Sequence, residues 1–311
     1  GKSTFMKRMG EIYEKDDAEI VYYHCSSDPD SLDGVIFKAA NAQIGMIDAT
    51  APHTFDPLIP GAHDTLVSLG DCLNEKRMHT YAPFLYSLND EISKSFQRCY
   101  ANLRAAGALY DIENKEYTKF ENWNKSEVKK FVQGLLEEVF DFPKKRSEAA
   151  WGSVRNCFLE AYTHRGLISY SDQLPRENCM VFDCPTDGHL SGFLEYLKNQ
   201  LVEAGIDVIA LHHPLCAGYL SHLYCPEQGL LLTGDQSLGS VTEVGDLLNH
   251  NHYRQYHKGL HEHAICQKLI EGAIHQLKHA KMMHDELEAV YIEHMDFNKW
   301  EEKFRETLAS I

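Results

Sequence analysis

A lysine followed by two hydroxyl residues, Lys2-Ser3-Thr4 behind Gly1, and an aspartate closing the apolar run "IGMI" (44–47), Asp48, are residue types that together could grip a magnesium-bound polyphosphate. Gly1-Lys2-Ser3-Thr4 has the form of the end of G-x-x-x-x-G-K-[ST], in which backbone N–H groups and a helix N-terminus surround the β- and γ-phosphates. There the Lys2 ammonium neutralises phosphate charge, Ser3 offers its hydroxyl to Mg2+, and Thr4 packs or contacts the α-phosphate. Asp48 suits a carboxylate holding the metal's water shell from the adjacent strand. Residue 49 is alanine, where many ATP-hydrolysing sites carry a glutamate that orients water, so hydrolysis is expected to be slow or to use another base. Asp28 and His53 are the leading candidates for that base, with Asp30 and Asp33 beside Asp28 in "SSDPDSLDG". The same stretch also reads as a helix start, with Asp28 as N-cap, Pro29 at the first helical position and Asp30 in the first turn. A Gly-Lys-Ser triplet also arises by chance, leaving Lys2 solvated and Ser3 a cap, so the elements that would position these residues have to decide.

Those elements alternate. Phe5, Met9 and Ile12 recur at helical spacing, "EIVYY" (19–23) is rich in strand formers, and "IGMI" follows, which is the grammar of a parallel βαβ sheet. Apolar residues from Met78 to Tyr110 recur at three and four and describe a long helix with Pro83 in its first turn or starting it. The pattern then restarts: "NCMVF" (178–182) as a strand, a helix within 183–201, strands "IDVIAL" (206–211) and "GLLL" (229–232), and a His-rich helical stretch from about 253 onward. "LGDCLN" (69–74) recurs as "VGDLLN" (244–249), and residues 110–129 align without gaps to 284–303 with identities such as Asp111/Asp285 and Asn124/Asn298. The division this predicts is 1–145, with a helical extension over 72–140, and 150–311, with one over 250–311; the two domains are expected to pair within the chain.

In that register "PTDGHLSGF" (185–193) falls on the loop slot and Gly188 pairs with Gly1. The chain, through "HCSSDPDSLDGVIF" (24–37) and "MIDATAPH" (46–53), resembles a family of bacterial tandem P-loop proteins described as ATPase-like or ATP-binding. The resemblance implies an α/β fold of two tandem P-loop NTPase domains with parallel sheets, each carrying a long hairpin-like helical extension. It further implies ATP or another NTP with Mg2+ as cofactors, and a chain that starts inside its first phosphate loop. The second copy pairs Lys2 with His189, Ser3 with Leu190, Thr4 with Ser191 and Asp48 with about Thr233, and Asp187 adds a negative charge, so a pseudo-site is expected; the alternative register makes Asp235 the metal ligand.

A formal charge of -16 argues against broad binding to nucleic acid or anionic lipid, while a local positive nucleotide pocket stays compatible with it. No apolar run approaches bilayer length, so no membrane partner is expected. Nine scattered cysteines without a C-x-x-C pair fit a reducing cytoplasm better than a disulfide framework or zinc knuckle. Histidines 250, 252, 257, 261 and 263, and the pair His275/His279, read as a solvated helical face rather than a metal site. Three functions follow: an Mg-dependent nucleotide-binding and slowly hydrolysing protein, a kinase for a small molecule or nucleotide, and a non-catalytic nucleotide sensor or scaffold. No protein partner is indicated.

Overall fold

A computed structural model describes residues 1–15, 19–39, 42–50, 54–139, 151–174, 176–249 and 260–311. The chain divides into two compact units, Gly1–Cys99 with Thr163–Gly166 and Ile274–Ile311, and Tyr100–Tyr162 with Leu167–Ala273. The sequence division at 145/150 follows the repeat, whereas these units follow the packing. No described helix is long and apolar enough to cross a membrane.

In unit 1, Phe5, Met6 and Met9 line one side of helix α1 (Lys2–Glu14) and bury it against strands β1 (Ile20–His24), β2 (Leu32–Ala39) and β3 (Ala42–Ile47). The three strands form an antiparallel meander, not the parallel βαβ unit that the alternation of elements suggested. β2 is the missing return strand. Asp28 and Pro29 start no helix: Ser31 N–H donates to the Asp28 carbonyl (2.9 Å) and Asp30 N–H to Asp28 Oδ1 (3.1 Å), closing a tight turn that feeds β2 back along β1. Two successive reversals leave β1 and β3 pointing the same way, so Cys25–Ser31 and Asp48 lie at one end of the sheet.

Unit 2 carries the larger sheet, ordered β11-β7-β10-β9-β8-β4, from β4 (Val154–Phe158), β7 (Asn178–Phe182), β8 (Val208–His212), β9 (Leu220–Cys225), β10 (Leu230–Thr233) and β11 (Val241–Thr242). β9 pairs antiparallel with both neighbours and the other three pairings are parallel. Phe193, Leu194, Leu197 and Leu201 of helix α4 (Asp187–Glu203) fill the core on one face. A two-stranded ribbon, β5 (Glu160–Thr163) and β6 (Gly166–Ser169), follows β4, and Gly166 takes a φ of +107° at its turn, a conformation that suits glycine.

Within each unit the same construction appears in the same register. β1 pairs with β2 through Tyr23/Gly34 and, past a bulge, His24/Leu32; β8 pairs with β9 through Leu211/His222 and, past a bulge, His212/Leu220. Cys25 N–H donates to the Ser31 carbonyl, and His213 N–H to the Tyr219 carbonyl. Leu32 N–H donates to Ser3 Oγ and Leu220 N–H to Ser191 Oγ, both at 2.9 Å. These bonds pair Ser3 with Ser191 and therefore Lys2 with Leu190 and Thr4 with Gly192, one residue away from the alignment that matched Lys2 to His189, Ser3 to Leu190 and Thr4 to Ser191.

The helical segments run on as α2 (Glu75–Asn114), α3 (Lys125–Val139), α5 (Leu260–Glu293) and α6 (Phe297–Ser310). Pro83 lies in the third turn of α2, not its first, where the missing N–H removes one helical hydrogen bond. The closing helices are exchanged between the sequence halves. Trp300 and Phe304 of α6 join Phe5, Met9 and Phe37 in unit 1, while Trp123, Val128 and Val132 of the α3 region join Phe193 and Leu197 in unit 2. Matching bridges fix the exchange: Leu73 with Met295 and Leu248 with Trp123. Asp296 N–H donates to the Cys72 carbonyl and Asn124 N–H to the Leu247 carbonyl, both at 2.7 Å. Asn124 thus matches Asp296, not Asn298, and the gapless alignment of 110–129 with 284–303 is out of step by two residues.

Candidate functional site

Lys2 is the first helical residue of α1 and Asp48 follows the last residue of β3, and the fold brings their side chains together. Lys2 Nζ lies 3.2 Å from Asp48 Oδ2 and 2.5 Å from Thr50 Oγ1. Asp48 Oδ1 accepts from the Thr50 N–H (2.9 Å) and hydroxyl (2.6 Å), which fixes the carboxylate at the end of the sheet. Burial pushes the Asp48 carboxyl up, but the Thr50 hydroxyl and N–H and the Lys2 ammonium outweigh it and hold the group below the usual carboxylate range. The Lys2 side chain is about half exposed (47%), so the pair adds on the order of 1 kcal/mol or less and yields readily to a stronger anion.

The remaining predicted residues are less uniform. Ser3 Oγ accepts the Leu32 N–H and ties the start of α1 to β2; Thr4 is exposed. Asp28 holds its own turn and lies 3.4 Å from Lys281 Nζ, and Lys281 also meets Asp285 at 2.5 Å. Gly1 precedes the helix as its N-cap. His53 lies outside the described residues, as do His250, His252 and His257. His275 is exposed and His279 Nδ1 bonds Ser95 Oγ (2.9 Å). Sequence reading missed Thr50 and Lys281, and Thr50 was recoverable from the D-x-T spacing that makes an Asx turn. Among the described residues the group with ligand atoms close enough for a metal is His284, Asp285 and Glu288, all exposed on α5.

The matching place in unit 2 has other chemistry. Leu190, 8% exposed, stands where Lys2 stands, and a Cβ on Gly234 would lie 2.5 Å from its Cδ2. The strand register matches Ile47 with Thr233 and therefore Asp48 with Gly234, while Asp235, one residue on, repeats the Asp48 turn, its Oδ1 accepting the Ser237 N–H (2.9 Å) and hydroxyl (2.7 Å). Thr233 instead bonds buried His222 (2.7 Å). This copy lacks the cation; the hydroxyl persists as Ser191, and the carboxylate is displaced by one residue to Asp235.

The first turn of α4 is also occupied. Gly188 N–H donates to Asn114 Oδ1 (3.0 Å), Tyr110 donates to Asp187 Oδ2 (3.0 Å), and a Cβ on Gly188 would sit 2.3 Å from the Asn114 carbonyl oxygen. His189 stacks on Tyr117 (4.9 Å) and burial lowers its pKa to about 4. Burial lowers His222 likewise to about 4, against the opposing pull of Asp235. Burial raises the Glu160 carboxyl, the Ser169 hydroxyl offsets this in part, and Asp235 and Asp187 add to the rise. The site is thus acidic and filled by the chain's own polar groups. Comparison with protein-family models, with curated proteins and with solved structures returns no match.

Proposed function

We propose that unit 1 binds a magnesium nucleoside triphosphate, with Lys2 against the terminal phosphates and Asp48 holding the metal's water shell, and that unit 2 is a degenerate copy that binds none. The observation that carries this reading is the pairing of Lys2 with Asp48 and Thr50 at the end of the sheet, which joins a cation and a metal-type carboxylate from distant parts of the chain. The residues fit the group: the first turn of α1 has no acidic side chain to repel phosphate, in contrast to Asp187 in α4. Bound Mg2+ would neutralise the β- and γ-oxygens; Lys2 supplies the second positive charge and Asp48 orients the ion through water.

Ala49 and the engagement of Asp28 by Lys281 favour, as a second reading, a nucleotide sensor with little turnover. Titration of the full-length protein with a fluorescent ATP analogue and Mg2+, alongside phosphate release, tests both. Binding that Lys2→Ala and Asp48→Asn abolish is expected, with slow release marking a hydrolase and none marking a sensor. Equal affinity of wild type and Lys2→Ala refutes the site.

A further inference from the structure

The end of the unit 1 sheet where Lys2 meets Asp48 holds a second cation in a matching arrangement. Arg165, at the β5–β6 turn, pairs its guanidinium with the Asp30 carboxylate, and its neighbour His164 bonds the Ser27 carbonyl through Nδ1 (3.2 Å). Both partners belong to the Cys25–Ser31 loop that follows β1. Lys7 Nζ donates to the Asp30 carbonyl. The loop stands beside Lys2: Leu32, two residues and so at most about 7 Å along the chain from Asp30, donates its N–H to Ser3 Oγ. Asp48 N–H in turn donates to the Asp33 carbonyl (2.8 Å), which pins the start of β2, directly after the loop, to the residue that pairs with Lys2. Arg165 is therefore held one short loop away from Lys2, each cation parked on an aspartate.

Both parking pairs are loose. Arg165 is 47% exposed and Asp30 68%, so the pair is solvent-screened and a polyanion can replace the carboxylate at small cost. A guanidinium offers a planar fork of donors that suits phosphate oxygens, where an ammonium acts as a point charge. Arg165 sits at the turn of a two-strand ribbon, next to Gly166 at a φ of +107°.

Resting on the nucleotide reading above, we propose that Arg165 is a second phosphate-binding cation of the unit 1 site, which leaves Asp30 for the terminal phosphate of a bound triphosphate. Asp30 then competes with phosphate for the guanidinium and is not a base. Such a role separates tri- from diphosphate, with Arg165 serving the terminal group alone and Lys2 serving both.

Affinities of the full-length protein for fluorescent ATP and ADP analogues with Mg2+ test this. Arg165→Ala is expected to weaken the triphosphate about tenfold or more, the worth of a charge-assisted bond, and to leave the diphosphate within about twofold. Arg165→Lys should recover part of the loss, and Asp30→Asn, which frees the guanidinium, should tighten the triphosphate a few-fold. Lys2→Ala should weaken both nucleotides. Unchanged triphosphate affinity in Arg165→Ala together with no gain in Asp30→Asn overturns the role of Arg165 even where Lys2→Ala still abolishes binding. If the wild type binds neither nucleotide, the nucleotide reading and this inference fall together.

Discussion

Phe304→Ala probes the exchange of closing helices at the residue where it bears most weight. Phe304 is 1% exposed, lies 5.0 Å from Phe5 edge-on and 5.6 Å from Trp300 in a stack, and carries the Arg8 guanidinium 4.4 Å above its ring. Removing a buried phenyl ring costs about 3–5 kcal/mol through lost transfer energy and the cavity left behind. Its aromatic and cation–π partners place the cost at the upper end, about 4 kcal/mol. At roughly 1.4 kcal/mol per tenfold, amides of unit 1 that exchange through global opening should exchange about a thousandfold faster. Hydrogen exchange read by mass spectrometry separates the alternatives. Protection should fall in 20–24, 32–39 and 42–47, near the other end of the chain from the substitution, and persist in 208–212 and 220–225. A loss confined to 178–233, as expected if 150–311 folded as one lobe, would refute the exchange.

How much of this the chain discloses beforehand depends on whether the cause is local. The helices α1 and α4 and the strands at 20–24, 178–182 and 230–233 follow from apolar spacing, because each buries one face against its neighbour in the sheet. β2 and β9, like β4, β5, β6 and β11, are not legible in the sequence. β2 contains Asp33 and Gly34, β9 contains Ser221 and His222, and Asp28-Pro29 carries the same side-chain chemistry for a tight turn as for a helix start. The register of the repeat is set by hydrogen bonds to Ser3 and Ser191, which identities in a short loop do not report; hence Lys2 was matched to His189 instead of Leu190. The exchange of α3 and α6 is non-local, and Trp123 and Trp300 look the same in sequence whichever core receives them. At the candidate site the type and spacing of Lys2 and Asp48 were legible. The engagement of Ser3 by Leu32 and of Asp28 by Lys281 depends on tertiary placement.

Further expectations follow from unit 2. His189 and His222 are neutral when folded, with pKa values of about 4, and protonate near 6.5 when unfolded. Their contribution is therefore whole above pH 6.5 and is lost as pH falls toward 4, by about 3–4 kcal/mol for the pair between pH 7 and 5. Urea melts across that range should show a shallower pH slope in His189→Gln/His222→Gln than in the wild type, and equal slopes would contradict burial of both rings. Gly188→Ala drives a Cβ to 2.3 Å from the Asn114 carbonyl, so a loss of about 1–3 kcal/mol or more is expected by thermal melting, and an unchanged Tm would mean that Asn114 does not cover α4. Ser191→Ala strips the buried Leu220 N–H of its acceptor and should cost about 1–3 kcal/mol, with no loss indicating that another group takes that bond.

On the proposed reading, one copy of the repeat keeps the cation for a triphosphate and the other does not. Calorimetric titration of the full-length protein with Mg-ATP measures it directly, since the isotherm counts sites. The account predicts one site per chain, removed by Lys2→Ala and untouched by Asp235→Asn. Two sites per chain, or a single site that Asp235→Asn removes while Lys2→Ala leaves it intact, would contradict it.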